Sequence, residues 1–301
     1  MKSTAFPKIL HLGDSYLETI FDEEVEITEK LDGSQFGFGI VDGQLIVRSK
    51  GKEQDLDEPD KMFVEGVEYV RSIEHLLQEG IFYYGEYLQK PRHSTLAYDR
   101  IPKNHIALFA IYGGTTGRFF EYDSIASEAL RLDVDAMPLI YKGKSNPEHA
   151  LSFVDGPSYL GGSDREGIVV KNYKDWEYLG RLHYTVMSGK FVTEKFKEVH
   201  TSDWKKFNTG KGRLEDLMAM YRTDARWHKA VQHLRENGEL EGSPRDIGNL
   251  IKEVKKDVSE EERDNIKEKL WEIYGDDFLK SATNGLPQWY KEELAKGNIN
   301  E

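Results

Sequence analysis

The sequence contains no cysteine. This absence excludes a disulfide-stabilised scaffold, a thiol nucleophile and every zinc site that uses cysteine ligands. The chain also has no apolar run near the roughly 20 residues that a membrane-spanning helix requires, and residues 1–13 lack the apolar segment of a signal peptide. We therefore expect a protein without a membrane partner that resides in the cytoplasm.

An excess of basic residues is missing as well. The formal net charge is −13, from 41 Lys and Arg against 54 Asp and Glu. A generic nucleic-acid binder usually carries a basic surplus. Net charge describes solubility and association rather than the field inside one groove. A site for a polyanion is therefore expected as a local cluster of basic side chains.

Several common sequence signatures are absent. There is no GxxxxGK[ST] pattern of a phosphate-binding loop, and none of the nine histidines belongs to an HExxH pair. The segment Gly37-Phe38-Gly39 begins like a dinucleotide-binding fingerprint, but it lies within an alternating strand pattern and has no third glycine. Neither a histidine-based metal centre nor a dinucleotide fold is predicted.

The first 200 residues have the pattern of a mixed α and β structure. Apolar residues alternate over Val25–Ile27 and Phe36–Ile40, and Asp42-Gly43 is a strong signal for a hairpin turn. Helical spacing over Met62–Leu77 predicts a helix that Gly80 ends. Antiparallel strands with a few helices favour an α+β fold.

The pattern changes after a predicted linker at Asn208–Gly212, and almost everything beyond it reads as helix. The segment Ser259–Glu262 fits a capping box, so a helix is expected to begin at Glu260. We therefore predict an antiparallel-sheet domain over residues 1–207, followed by a smaller all-helical domain over residues 208–301. A chain that ends near Phe207 is expected to keep every motif described below.

One segment carries chemistry: Glu29-Lys30-Leu31-Asp32-Gly33-Ser34, in which a lysine stands between a strand and a tight turn. A lone KxDG is a weak signal, and its ordinary interpretation is an exposed lysine before a turn. The residues that follow it in order are Arg48 at a strand end, Glu86 among aromatic residues, Phe109 in an apolar strand, Glu166 before Gly167–Lys171, and the pair Lys195 and Lys197. Each of these also has a purely structural interpretation as core, ion pair, cap or solvated strand face.

The ordered set resembles the covalent nucleotidyltransferases, which comprise ATP-dependent DNA ligases, RNA ligases and mRNA capping enzymes. Six motifs occur in the family's order from Lys30 to Lys197. The stretches Gly85–Leu88, Thr95–Tyr98 and Pro102–His105 look most like RNA ligases. The helical C-terminal part is similar to the nick-sealing, RNA ligase 2-like enzymes of phages and bacteria.

The resemblance implies a nucleotidyltransferase domain that binds ATP and forms a lysyl–AMP adduct, with Lys30 as the nucleophile. It implies Glu166 as a ligand of Mg²⁺ or Mn²⁺. The residues implied in ATP or AMP binding are Glu29 at the adenine edge, Arg48 on a phosphate, Glu86 on a ribose hydroxyl, Phe109 stacked on adenine, and Lys195 and Lys197 on phosphate. Nearby cations disfavour an ammonium, so these two lysines and the metal are expected to lower the pKa of Lys30.

The resemblance further implies an RNA ligase that joins 5′-phosphate and 3′-hydroxyl ends, with RNA as partner in the form of a nicked duplex or broken ends. A monomer in the cytoplasm of a bacterial cell or a phage-infected host is expected. The alternatives are a DNA ligase without an OB domain, a capping-type guanylyltransferase, and a non-catalytic nucleotide- or RNA-binding relative. Two departures from the family are Ala110, where an Asp often follows the stacking Phe, and Gln35, where an Asn is frequent.

Overall fold

A computed structural model of the protein describes residues 5–12, 15–178, 182–193, 214 and 217–296. The chain forms two compact units. The first comprises Met1–Glu198 together with Thr223–Ile251, and the second comprises Val199–Arg222 together with Lys252–Glu301. The predicted domain boundary at 207/208 lies outside the described residues and stays a prediction, but residues 223–251 cluster with the first unit.

The first unit contains two antiparallel sheets, as the alternating patterns predict. The strands of the first sheet are β1 (Leu10–His11), β2 (Val25–Lys30), β9 (Leu139–Gly143), β10 (Gly167–Asn172) and β13 (Met187–Val192). Their order is β1-β13-β10-β2-β9, and all pairs are antiparallel except β1 with β13. Apolar side chains of β2 and β10 fill a core with Ala150 and Val154. The C-terminal end of β2 and the N-terminal end of β10 thus lie side by side.

The strands of the second sheet are β3 (Ser34–Val41), β4 (Gln44–Ser49), β5 (Ile81–Tyr87), β6 (Ile106–Gly113), β7 (Arg118–Phe119) and β8 (Asp135–Ala136). Their order is β4-β3-β5-β6-β7, and β8 pairs in parallel with β6. The hairpin between β3 and β4 turns through Asp42 and Gly43, with φ of 53° and 75°. Both values are left-handed, as a two-residue hairpin turn requires, so the predicted turn is confirmed. A separate hairpin joins β11 (Trp176–Tyr178) and β12 (Leu182–Tyr184).

The described part of the first 200 residues contains three α-helices: α1 (Val64–Ser72), α2 (Tyr122–Arg131) and α3 (Pro147–Leu151). Helix α1 buries Val67 and Val70 completely, next to Phe63 at its N-cap, as the helical spacing predicts. Residues of α1 and α2 share one apolar core with β3, β5 and β6. The fold class is α+β with antiparallel sheets and a helical C-terminal region, as expected.

In the C-terminal part, the helices whose bounds the structure describes are α4 (Asp224–Glu236), α5 (Ile247–Glu261), α6 (Arg263–Thr283) and α7 (Leu286–Lys296). The expected capping box at Ser259 is wrong: Ser259 lies inside α5, and the helix break falls at Glu262. A capping box exists instead at Ser243. Its side chain accepts from the backbone N–H of Asp246, and the side chain of Asp246 accepts from the backbone N–H of Ser243. Among the described residues, no helix is long and apolar enough to span a membrane.

Candidate active site

Lys30 and Glu166 form an ion pair at the ends of two adjacent strands. Lys30 is the last residue of β2 and pairs with Gly167, the first residue of β10. Glu166 therefore stands one residue before the strand, next to the lysine. Lys30 Nζ donates a hydrogen bond of 2.6 Å to Glu166 Oε2, and the two side chains are only 23% and 11% exposed. The sequence places these residues 136 positions apart, and antiparallel pairing brings them together.

Carboxylates, rather than cations, dominate the surroundings of Lys30 among the described residues. Burial lowers the pKa of Lys30, but the charges of Glu166, Glu86 and Asp32 raise it, and the net pKa lies above its ordinary value. The lowering expected from Lys195, Lys197 and a metal concerns groups outside the described structure and stays a prediction. Opposite charges favour the ammonium form, and burial alone does not overcome them here.

Glu86 is the second acidic residue beside the lysine. Burial raises the pKa of Glu86 to about 8, with Lys30 lowering it and Glu166 raising it. Burial also raises the pKa of Glu166, while the charge of Lys30 lowers it. Among the described residues, the carboxylates of Glu166, Glu86 and Asp32 outnumber the ammonium groups beside them. Such a site favours the uptake of protons or cations.

The turn after Lys30 is tightly packed. Glu86 Oε1 accepts a hydrogen bond of 3.1 Å from the backbone N–H of Gly33. A Cβ atom at Gly33 would lie 2.7 Å from Leu88 Cδ1 and 2.8 Å from the carbonyl oxygen of Tyr87. No side chain fits there without movement of the strand. The glycine of the KxDG motif is therefore needed for the close approach of the turn to β5.

Asp32, to which the sequence analysis assigned no role, fixes the other side of the turn. Its Oδ2 accepts hydrogen bonds of 2.7 Å from the backbone N–H groups of Thr95 and Leu96. Its own N–H donates to the hydroxyl of Tyr98 over 2.9 Å. The aspartate thus joins the Lys30 turn to the segment 95–98. A short acidic residue in a turn beside polar backbone is the signal that could have indicated this.

Glu29 is buried, and its carboxylate is bonded to protein groups. It accepts hydrogen bonds from Ser158 Oγ and from the backbone N–H of Tyr159, the latter over 3.0 Å. Burial raises its pKa, and these two bonds lower it. Glu29 therefore holds the segment 158–159, and its contact with adenine stays a prediction.

Phe109 lies at a bulge of β6. Tyr84 pairs with Ala110 and Gly85 with Leu108, so Phe109 has no partner residue on β5. Bulges re-aim side chains at such positions. The ring of Phe109 is half-buried and meets Phe6 edge-on at 5.1 Å. Ala110, where relatives of the family often have Asp, is buried in the apolar cluster that contains Tyr84.

Lys171, at the end of the motif that Glu166 opens, is a buried lysine beside Phe109. Its ammonium donates to the carbonyl oxygen of Phe109 and lies 5.4 Å from the centre of that ring. Burial lowers its pKa to about 8, although Glu26 raises it. The sequence analysis missed this residue. A lysine in an otherwise apolar strand is the signal that could have found it.

Arg48 lies on β4, opposite Gly37 of β3. Its Nε is buried without a hydrogen-bond partner, and burial lowers the pKa of the guanidinium. Within the described part of the chain, no hydrogen bond joins Arg48 to the Lys30–Glu166 pair. An unpartnered guanidinium nitrogen suits an anionic ligand, because a buried donor without an acceptor is costly.

Lys195 and Lys197 lie outside the described residues, so their position relative to Lys30 stays a prediction. A different lysine, Lys190, influences the Lys30–Glu166 pair. Lys190 of β13 pairs with Val169 of β10, and its charge lowers the pKa of Glu166. Lys190 begins the strand that the sequence predicts over Lys190–Lys197, but it was not considered as a site residue. The observed strand runs earlier, over Met187–Val192.

The sequence model of the RNA ligase family matches residues 23–185. No curated protein sequence matches the chain. Among solved structures, Naegleria gruberi RNA ligase with PPi has a TM-score of 0.48 at 18% identity, and the match covers 64% of this chain and 56% of that one. A mutant of the same Naegleria gruberi enzyme with ATP and Mn has a TM-score of 0.47 at 18% identity, covering 64% and 56%.

The chain thus spans just over half the length of the solved proteins it matches. The family model, by contrast, covers more than half of this chain and includes both members of the Lys30–Glu166 pair. It also includes Glu86 and Phe109. On the strength of this match, the chain belongs to the RNA ligase family.

Proposed function

We propose that this protein is an ATP-dependent RNA ligase that carries AMP on Lys30 and joins a 5′-phosphate to a 3′-hydroxyl. The observation that carries the proposal is the 2.6 Å pair of Lys30 and Glu166, with Glu86 beside it, at the ends of adjacent strands. A buried lysine among carboxylates has a defined position and neighbouring bases. Both are needed by an amine that acts as a nucleophile.

In the first step, Lys30 Nζ forms a bond to the α-phosphorus of ATP. The bond between the α-phosphorus and the bridging oxygen breaks, and pyrophosphate leaves. Lys30 must lose a proton, and Glu166 Oε2 is 2.6 Å from Nζ. Glu86, with a pKa of about 8, is a second carboxylate able to hold a proton near neutral pH. Glu166 is therefore the described carboxylate placed to take that proton, once bound cations favour the neutral amine.

The residues present fit a divalent cation of the magnesium class. Mg²⁺ typically takes one or two carboxylates and fills its remaining positions with water and phosphate oxygens. Among the described residues, no group of three or more acidic or histidine side chains is placed to hold a metal by itself. Glu166 would be its protein ligand. When bound, Mg²⁺ or Mn²⁺ supplies positive charge to the phosphate oxygens and to the carboxylates around Lys30.

The nucleotide is proposed to lie against Phe109, with adenine on the half-buried ring. Glu86 would accept from a ribose hydroxyl, Glu29 would border the adenine edge, and Arg48 would bind a phosphate. The unpartnered Nε of Arg48 supports the last of these roles. Lys195 and Lys197 are proposed as phosphate ligands from the sequence resemblance alone.

The AMP then passes to the 5′-phosphate of an RNA strand, and a 3′-hydroxyl displaces AMP to form the phosphodiester. The sequence resemblance supports a nick in duplex RNA as substrate, as in the RNA ligase 2-like branch. A protein reads such a duplex by its shape and its 2′-hydroxyls. A monomer acting in RNA repair in the cytoplasm is proposed on the same ground.

The test is a transfer of label. The protein is incubated with Mg²⁺ and either α-labelled ATP or α-labelled GTP, denatured, and examined for label that stays on the chain. Label from ATP supports the ligase, label from GTP alone supports the capping-type alternative, and no label from either contradicts the proposal. Sealing of nicked duplexes with an RNA or a DNA 3′-hydroxyl strand then separates an RNA ligase from a DNA ligase.

A further inference from the structure

The turn after Lys30 is held from the C-terminal part of the chain. Gln232 of helix α4 donates its side-chain amide to the carbonyl oxygen of Gly33 over 2.5 Å. The next residue, Ser34, donates its hydroxyl to Glu236 Oε1, also over 2.5 Å. Gln232 and Glu236 are four residues apart and lie on one face of the helix, where Gln232 also donates to Glu236 over 2.9 Å. One helix face thus binds two consecutive residues of the turn.

His93 completes this hydrogen-bond network and fixes which groups donate and which accept. The backbone N–H of Gln89 donates to His93 Nδ1 over 3.0 Å, so that nitrogen is an acceptor. The proton of the neutral ring is therefore on Nε2, which lies 2.8 Å from Ser34 Oγ and donates to it. Burial lowers the pKa of His93 to about 4, which keeps the ring neutral at pH 7. The hydroxyl of Ser34 accepts a hydrogen bond from His93 Nε2 and donates one to Glu236 Oε1.

The backbone N–H and the carbonyl oxygen of Gly33 each form a hydrogen bond with a side chain. Its N–H donates to Glu86, whose charge raises the pKa of Lys30, and its carbonyl oxygen accepts from Gln232. A displacement of α4 therefore changes the position of the turn and of Glu86 together. Glu236 is only 4% exposed, and its charge also raises the pKa of Glu86. A buried carboxylate is costly unless its oxygens accept hydrogen bonds, so its contacts with Ser34 and Gln232 are well defined.

We infer that Gln232 and Glu236 are positioning residues for the reaction of Lys30 with ATP, an inference that rests on the proposed function. Their side chains form hydrogen bonds with the turn and with each other, and none of these bonds goes to the lysine amine. They act by fixing Gly33 and Ser34, and through Gly33 the carboxylate of Glu86. Helix α4 is in this sense a part of the nucleotidyltransferase site, although the sequence predicts it as part of a separate helical domain.

The test uses Glu236→Ala, Glu236→Gln and Gln232→Leu in the full chain. His228→Gln is the matched control, because His228 is exposed on the same helix and bonds only to that helix's own carbonyl of Asp224. Two quantities are measured. The first is the rate of adduct formation as a function of ATP concentration. The second, which needs no nucleotide, is amide hydrogen exchange of the peptide that contains residues 30–36.

Positioning predicts a fall of about tenfold or more in the adduct rate at saturating ATP for Glu236→Ala and Gln232→Leu, because small misplacements of reacting groups are costly. The ATP concentration for half-saturation should change little, and exchange of the 30–36 peptide should rise. Glu236→Gln should restore most of the rate, since its amide oxygen still accepts from Ser34. His228→Gln should match the wild type in both measurements.

Unchanged exchange and an unchanged saturated rate in folded Glu236→Ala would overturn the inference. So would a Glu236→Gln variant as slow as Glu236→Ala while its exchange matches the wild type. If the wild-type protein takes no label from ATP, the proposed function fails. The exchange of the 30–36 peptide then still decides whether α4 holds the turn.

Discussion

Lys30 Nζ and Glu166 Oε2 lie 2.6 Å apart in a setting where neither side chain is more than a quarter exposed. The pair keeps the amine charged, because its attraction to Glu166 and to the nearby acids exceeds the effect of burial. A charged amine is not a nucleophile. Cationic charge bound near Glu166 would weaken this attraction and favour the neutral amine.

Replacing Lys30 by Ala should abolish the covalent AMP adduct, since no other group takes the place of the amine at the end of β2. The measurement is label retained on the denatured protein. Sealing of an RNA strand that already carries 5′-AMP is the control, because that step does not use the lysine as a nucleophile. A normal adduct yield from Lys30→Ala would contradict the assignment of the nucleophile.

Glu166→Gln should lower two quantities, the pKa of Lys30 and the rate of adduct formation. Loss of its charge removes the largest influence that raises the pKa of Lys30, so that pKa should fall. Adduct formation should nevertheless slow by about 10²–10³, the usual effect of removing a pre-organised charge at a transition state. The pKa is followed by competitive labelling of lysine amines across pH, with the surface residue Lys144 as internal reference. A variant with a lowered Lys30 pKa and a faster adduct rate would exclude Glu166 as a metal ligand.

Phe109→Leu should raise the ATP concentration needed for half-saturation and change the saturated rate little. Stacking on an aromatic ring contributes about 1–3 kcal/mol, which corresponds to roughly 5- to 150-fold in affinity. Phe109→Tyr is the matched control, because it keeps the ring at the bulge of β6. Equal ATP affinity in Phe109→Leu and the wild type would show that adenine does not stack there.

Alternating patterns predict the strands and the hairpin at Asp42-Gly43, because these patterns are local. The ordered motifs predict that Lys30 lies near Glu166, because they repeat a known family arrangement. The contacts of Gln232 with Gly33 depend on about 200 intervening residues, and no local pattern encodes them. Ser259 illustrates the opposite case. Its capping pattern is genuine, but the following glutamates are also good helix formers, so the helix continues through them.

The acidic surroundings of Lys30 could not be predicted from composition or spacing either. Sequence motifs place Lys195 and Lys197 in the same site, and a field of cations was expected on that basis. The described structure instead brings Glu86 and Asp32 close, because Gly33 allows the turn to pack against β5. Which charges surround a lysine depends on pairing register and turn packing, which the residue types alone do not specify.

His93 should make folding stability depend on pH below neutrality. Its pKa is about 4 in the folded protein against an ordinary 6.5, because burial disfavours the charged ring. Between these values the unfolded chain binds a proton that the folded chain does not. Above pH 6.5 the neutral His93 ring therefore contributes up to about 3 kcal/mol to the free energy of unfolding. This contribution is lost as the pH falls towards 4. In His93→Gln, denaturant unfolding at pH 7.5 and pH 5 should differ by correspondingly less than in the wild type, and an equal difference would contradict this role.

Shortened chains test where the nucleotide-binding part of the protein ends. The motifs alone predict that a chain ending at Phe207 still reacts with ATP. The contacts of α4 predict otherwise, since such a chain lacks both Gln232 and Glu236 and leaves Ser34 without the carboxylate to which its hydroxyl donates. A chain ending at Ile251 keeps the first compact unit whole.

We expect the chain that ends at Ile251 to form the AMP adduct and the chain that ends at Phe207 to form little or none. Both are first compared by circular dichroism and thermal unfolding, so that a failure to fold is recognised. A folded chain to Phe207 that takes label at the wild-type rate would contradict the role of α4 and support the sequence-based boundary. Nick sealing by the longer chain then tests the second unit. Loss of sealing with an intact adduct indicates that Lys252–Glu301 engages RNA, because only a step after adduct formation has failed.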